Sequence, residues 1–170
     1  MTHGVTLGYG PLTVFALGLL LGLFALFHAP LFARLGLVSR RDKAAAALAG
    51  MFFFTGTLHF VTPERFVAMI PPALPAPLVL VYGSGAFELL GAAGLLVPRL
   101  WRWAGWGLAA LLVAVFPANI YVAVSGGSVE GMPENNWYYW LRLPIQFVFI
   151  GWALWCSRER PQPVHPAAAP

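Results

Sequence analysis

The sequence predicts an all-α membrane protein, built as a four-helix transmembrane bundle with one extra N-terminal transmembrane helix. Of its 170 residues, 59% are hydrophobic and only 9% are charged, whereas soluble domains carry about 25% charged residues. Five apolar runs are long enough to cross a hydrocarbon core of about 30 Å, which takes about 20 helical residues. The cations lie at the ends of these runs and form no patch with interleaved aromatic residues, so nucleic-acid binding is excluded.

The apolar runs also divide the chain into domains. Residues 1–43 are predicted to hold the N-terminal helix and a basic loop, 44–157 the four-helix membrane domain, and 158–170 a disordered tail rich in proline and alanine. The loop after the second run carries five prolines and is expected to form a short, stiff cap. The predicted spans are 12–33, 44–62, 78–97, 103–124 and 138–156.

The distribution of Lys and Arg predicts the orientation of the spans. Eight of these cations fall on one side of the predicted bundle, and only Arg65 falls in a loop on the other side. Positive residues are retained in the cytoplasm, so we expect an external N-terminus and a cytoplasmic C-terminus in a bacterial-type inner membrane. The eight are Arg34, Arg40, Arg41, Lys43, Arg99, Arg102, Arg158 and Arg160.

Glu88 is the most informative residue inside the apolar runs, since the stretch 79–97 contains no other charge. An acidic residue at the centre of a membrane helix costs roughly 2.5 to 3.5 kcal/mol, and such residues usually face the bundle interior with a partner and a function. Glu88 is therefore the candidate catalytic residue. A transporter or a structural subunit, two of the functions considered below, would pair it with Arg142, one layer further out.

Helical depth and helical faces extend this site to five further polar residues. At 1.5 Å per residue, four of them fall in one layer, and Gln146 falls deeper, beside Glu88. Ser84 and Glu88 are four residues apart, as are Arg142 and Gln146, so each pair shares a helical face. The candidate ligand-binding residues are His59, Ser84, Asn119, Arg142 and Gln146.

Some chemistries can be set aside from residue counts. The single cysteine, Cys156, excludes an internal disulfide and a dithiol relay. A zinc or iron site needs three or four convergent ligands, and only His59 and Glu88 qualify, so no metal site is predicted. Pro117 is expected to free the Val113 carbonyl near Asn119.

Four motifs in a fixed order carry a family resemblance. They are HF-x-x-P at His59, SG-x-x-E-L at Ser84 and Glu88, PANIY around Asn119, and RLP-x-Q at Arg142 and Gln146. Over about residues 44–157 the chain resembles the DoxX-like integral membrane proteins. The resemblance implies a four-helix core, an added first helix, and the same six polar residues at characteristic positions. It also implies a link to quinone-dependent oxidation or redox homeostasis.

Three functions are compatible with this sequence. The first is binding of a quinone or another lipophilic small molecule at a polar site that opens toward the outer leaflet. In that case Glu88 would relay protons, and an electron-carrying partner protein would be required. The second is a non-catalytic accessory or assembly subunit of a membrane complex, in which the polar cluster fixes helix register. The third is a small-solute or proton-coupled transporter, which would need a homo-oligomer because the chain has no inverted repeat.

Overall fold

The computed structural model describes residues 39–126 and 136–158, and within these ranges the chain is α-helical and contains no strand. The prediction of an all-α fold is confirmed for this part of the chain. The predicted first span at 12–33, most of the loop between the fourth and fifth predicted spans, and the tail after residue 158 lie outside the described residues. The helices are α1 Arg40–Val61, α2 Pro63–Val67, α3 Pro77–Leu96, α4 Trp101–Ser125 and α5 Asn136–Cys156.

Three of these helices, α1, α3 and α4, are long and apolar enough to cross a membrane. Helix α1 begins at Arg40, four residues before the predicted span, because Ser39 and Asp42 cap it reciprocally. The Ser39 hydroxyl accepts a hydrogen bond from the Asp42 backbone N–H at 3.0 Å, and the Asp42 carboxylate accepts one from the Ser39 N–H. The charged first turn therefore belongs to the helix although it is not apolar.

The four long helices form a ring in which α1 packs on α3, α3 on α4, α4 on α5 and α5 on α1. The first turn of α1 meets the end of α5, where Arg41 donates a hydrogen bond to the Arg158 carbonyl at 3.0 Å. Gly105, near the start of α4, lies against Ser157 at the same end. We call this the basic end of the bundle, and the opposite end, which carries α2, the cap end.

The core is divided into two clusters of buried side chains. The larger cluster fills the half toward the basic end and includes Leu48, Phe52, Leu95 and Leu108. The smaller cluster lies at the cap end. Between them the bundle interior is only partly filled, and the polar residues of the apolar runs lie there. The smaller cluster consists of Met69, Val122, Ala123, Tyr138 and Tyr139.

The outer surface of the bundle is strongly apolar. Trp103 is 75% exposed, Leu90 69% and Phe53 64%, and each lies on a different long helix. Exposed apolar area of this extent marks a surface that contacts lipid or protein rather than water. The helices therefore present large apolar side chains outward, while polar His59 and Gln146 are buried inside the bundle.

Candidate functional site

A close approach of α1 and α3 builds the first half of the site. A Cβ atom added to Gly85 would lie 2.6 Å from the His59 Cβ, and one added to Gly56 would lie 3.1 Å from the Glu88 Cβ. Small residues let membrane helices approach in this way. Because the two backbones are so close here, the polar side chains of α1 reach those of α3.

The Glu88 carboxylate has a hydroxyl partner on α1. The Thr55 hydroxyl donates a hydrogen bond to Glu88 Oε2 at 2.6 Å, and it also lies 3.2 Å from the Met51 carbonyl. A hydroxyl has one hydrogen and can also accept. Thr55 can therefore donate to an ionised Glu88, or accept from a protonated Glu88 while donating to Met51, so it fits both protonation states.

His59 lies beside the same carboxylate, with its Nδ1 4.0 Å from Glu88 Oε2. Its Nδ1 also lies 2.9 Å from the Thr55 carbonyl. A carbonyl only accepts hydrogen bonds, so Nδ1 carries the hydrogen in this contact, and the neutral ring has its lone pair on Nε2. The ring stacks on Phe66 of α2 at a centroid distance of 3.8 Å, which fixes its plane.

The second half of the site joins α4 to α5. Asn119 Nδ2 donates to Gln146 Oε1 at 2.8 Å, and Gln146 Nε2 donates to the Leu112 carbonyl at 2.5 Å. Pro117 has no N–H and crowds the preceding turn of α4, which contains this carbonyl. The Gln146 amide bonds to Leu112 rather than to Val113, the carbonyl that the sequence identified.

Arg142 does not pair with Glu88, although the sequence allowed that pairing. Its Nη1 lies 3.8 Å from the Met69 sulfur, and its guanidinium lies over the Tyr138 ring at 5.9 Å. Among the described residues no carboxylate lies within 4.0 Å of Arg142. Arg142 is one turn nearer the cap end than Gln146, so its long side chain reaches the segment after α2. Glu88 instead meets residues of α1.

Ser84 keeps its hydrogen bond within its own helix. Its hydroxyl donates to the Val81 carbonyl at 2.9 Å. The prediction that Ser84 shares a face with Glu88 is confirmed, because both line the same cavity. Ser84 contributes an acceptor oxygen to that cavity rather than a link between helices.

All six predicted residues line one cavity of about 660 Å³. It extends beyond Glu88 toward the basic end, where Met51, Phe52 and Phe149 form its apolar floor. Glu88 therefore lies in the wall of the cavity rather than at its floor. The polar lining consists of Thr55, His59, Ser84, Glu88, Asn119, Arg142 and Gln146.

Sequence reasoning missed several residues that complete the cavity. Thr55 lies four residues before His59 and shares its helical face. This spacing could have indicated that Thr55 also contacts Glu88. Phe66, Met69 and Ile70 close the cap end. They come from the short apolar stretch in the proline-rich loop, which the sequence identified as a cap but not as part of the site.

The fold and the cavity define an α-helical protein with an apolar exterior, helices that are able to span a membrane, and an internal site with polar and apolar walls. Within this class, the chain belongs to DUF8561, a domain-of-unknown-function family, whose family model matches residues 48–157. No curated protein and no solved structure matches the chain. The matched region contains every polar residue of the cavity.

Proposed function

We propose that this protein is an integral membrane protein that binds a quinone, or another lipophilic small molecule with oxygen acceptors, for a membrane redox system. One observation carries the proposal: all six polar residues selected from the sequence line one cavity of about 660 Å³, whose other lining residues are apolar or small apart from Thr55. Pockets for drug-sized ligands have volumes of about 300–1,000 Å³ and combine apolar walls with a few polar groups.

The polar walls offer groups that a quinone ring requires. Arg142 has five N–H donors, and its contacts among the described residues are a sulfur and an aromatic ring, so it retains donors for a ligand oxygen. Asn119 uses one amide hydrogen for Gln146 and retains the other. On the opposite wall, Glu88 and Thr55 can exchange a proton with a second ligand oxygen.

The proposal includes a membrane arrangement. In it, α5 is the fourth transmembrane helix of the domain, and the run at 12–33 is an additional one. The cap end faces outward and the basic end faces the cytoplasm, because Arg40, Arg41, Lys43, Arg99, Arg102 and Arg158 lie at the basic end. The site is accessible from the outer leaflet, and an electron-carrying protein supplies or removes electrons. Relationship to the DoxX-like proteins stays a prediction, since the matching family is DUF8561.

Ligand binding can be tested on the full-length protein in lipid nanodiscs. We expect quinone to copurify in a mild detergent extract, and added quinone to bind at one site. Arg142→Leu should weaken this binding about tenfold, which is about 1.4 kcal/mol. The matched control is Arg99→Leu, because Arg99 is exposed at the basic end and does not line the cavity. Absence of copurified quinone together with absence of binding on titration would reject the proposal.

A second candidate function is a non-catalytic accessory subunit, which the amide link between Asn119 and Gln146 favours. Such interhelical hydrogen bonds fix helix packing without any ligand. If this is the whole role of the polar residues, replacing Thr55 and Glu88 together by apolar residues will preserve both folding and the activity of the host complex. Loss of activity in a variant that folds normally would favour the ligand-binding function.

A further inference from the structure

The cavity is open on one side, between α3 and α4. On the opposite wall, formed by α1 and α5, the lining residues Phe52, His59 and Gln146 are buried. On the side of α3 and α4, by contrast, Val79 is 69%, Leu80 45% and Phe87 65% exposed on α3 while all three line the cavity. Ala114 on α4 also lines the cavity and is exposed. A residue that lines a cavity and is also widely exposed lies at its mouth. The mouth therefore faces the apolar outer surface of the bundle.

The packing of α3 and α4 explains why this gap exists only in the half toward the cap end. In the other half the helices touch, since a Cβ on Gly91 would lie 2.5 Å from the Leu108 side chain. A Cβ on Gly94 would lie 2.8 Å from the Ala104 Cβ. Gly83 lies about two helical turns from Gly91 toward the cap end. A Cβ at Gly83 would meet nothing within 4 Å. The two helices thus diverge from a tight contact near the basic end.

The size of the cavity sets what can be fully enclosed. A volume of about 660 Å³ suits a drug-sized ring system. A tail of several isoprene units is longer than such a cavity and must leave it on an apolar side. The gap between α3 and α4 is lined by apolar or small residues on both helices, namely Leu80, Gly83, Phe87, Leu111, Ala114 and Ala118.

We propose that this gap is a lateral portal, through which the polyisoprenoid tail of the ligand extends into the membrane while its polar ring lies in the cavity. The inference rests on the proposed function and adds to it the class of ligand, a ring with a long apolar tail. It also assigns the route of access, from the lipid rather than from water. Gly83 and Ala114 are then the residues whose size determines tail passage.

The test compares two probes that share one ring, a methyl-naphthoquinone without a tail and the same ring with a tail of four isoprene units. Gly83→Leu adds a side chain to the portal at a position where a Cβ meets nothing within 4 Å. The matched control is Gly107→Leu on α4, where a Cβ also meets nothing and which does not line the cavity. Binding is measured with the full-length protein in nanodiscs.

We expect Gly83→Leu to weaken binding of the tailed quinone about tenfold and to change binding of the tail-free quinone by less than about twofold. Gly107→Leu should change neither. A second pair of variants keeps the test valid if a glycine variant misfolds. Ala114→Leu should also weaken binding of the tailed quinone selectively. Ala110→Leu, one turn away and outside the cavity lining, should not.

Each other outcome overturns the portal. Equal weakening of both probes would show that the added side chains occupy the ring site, and no weakening would show that the tail leaves elsewhere. Binding of the tail-free probe alone by the wild type would reject the portal and retain the ring site. Binding of neither probe would reject the proposed function itself, and the portal with it.

Discussion

Glu88 depends on one hydroxyl for its hydrogen bonding within the described residues. Thr55 supplies that hydroxyl at 2.6 Å, whereas His59 lies at 4.0 Å, beyond hydrogen-bonding distance. The Glu88 side chain is only 13% exposed, so a lost partner is not readily replaced by bulk water. A buried polar group without a partner costs about 1–3 kcal/mol. The stability of this half of the site therefore rests on Thr55.

We predict that Thr55→Val lowers the free energy of unfolding by about 1 kcal/mol or more, because Glu88 loses its donor. The measurement is unfolding by SDS in mixed micelles. Thr57→Val is the matched control, since Thr57 donates only to the Phe53 carbonyl on the exposed face of the same helix. It should change the free energy by less than about 0.5 kcal/mol.

The same explanation predicts a rescue. If the cost of Thr55→Val is the unsatisfied carboxylate, adding Glu88→Leu should recover much of the lost stability, because both polar partners are then replaced by apolar groups. A double variant that is less stable than Thr55→Val alone would contradict this account of the pair.

The position of Gly85 is equally specific. A Cβ there would lie 2.6 Å from the His59 Cβ and 3.0 Å from the Phe60 ring, so Gly85→Ala should force α1 and α3 apart. We predict a loss of about 1–3 kcal/mol in unfolding free energy, the usual cost of overpacking. Gly83→Ala, two residues away in open space, should be neutral or slightly stabilising because alanine favours helix. Equal stability of the two variants would contradict the close helix contact.

At the scale of single elements, the sequence located the helices well because each is set by a local pattern. The spans predicted at 78–97 and 138–156 agree within two residues with Pro77–Leu96 and Asn136–Cys156. The larger error is at the start of α1, where a polar capping box adds a charged turn to the helix. Apolarity marks the part of a helix in lipid, and capping marks where the helix begins.

The pairing of site residues was harder to predict for a different physical reason. Depth along an axis follows from 1.5 Å per residue, so the sequence could place six polar residues in one region. It could not give the rotation of each helix about its axis or the reach of a long side chain. Helix rotation and side-chain reach determine that Glu88 contacts Thr55 and that Arg142 extends to Met69.

The link between α4 and α5 can be measured as a coupling energy. Gln146 bonds both Asn119 and the Leu112 carbonyl, so Asn119→Leu and Gln146→Leu should not be additive. We predict a coupling of about 0.6 kcal/mol, and up to about 1.7, the range found for interhelical hydrogen bonds in membrane bundles. A double-mutant cycle in SDS unfolding gives the value, and additive single effects would show that the bond contributes nothing.

At the scale of the whole molecule, the charge asymmetry and the ring of helices support one orientation. The starts of α1 and α4 and the end of α5 lie together at the basic end, so their cations lie at one end of the bundle. Since positive residues remain in the cytoplasm, residue 73 at the cap end should be external and residue 100 internal. Both Ala73 and Leu100 are exposed, which makes them suitable labelling positions.

We predict that Ala73→Cys reacts with a membrane-impermeant maleimide on intact spheroplasts, and that Leu100→Cys reacts only after the membrane is permeabilised. Both variants are made in a Cys156→Ala background, since Cys156 is the single native cysteine and is buried. The background protein without an added cysteine should stay unlabelled in both conditions. The reverse labelling pattern would invert the bundle and place the cap end in the cytoplasm. Access to the cavity would then be from the inner leaflet, although the internal geometry of the site would be unchanged.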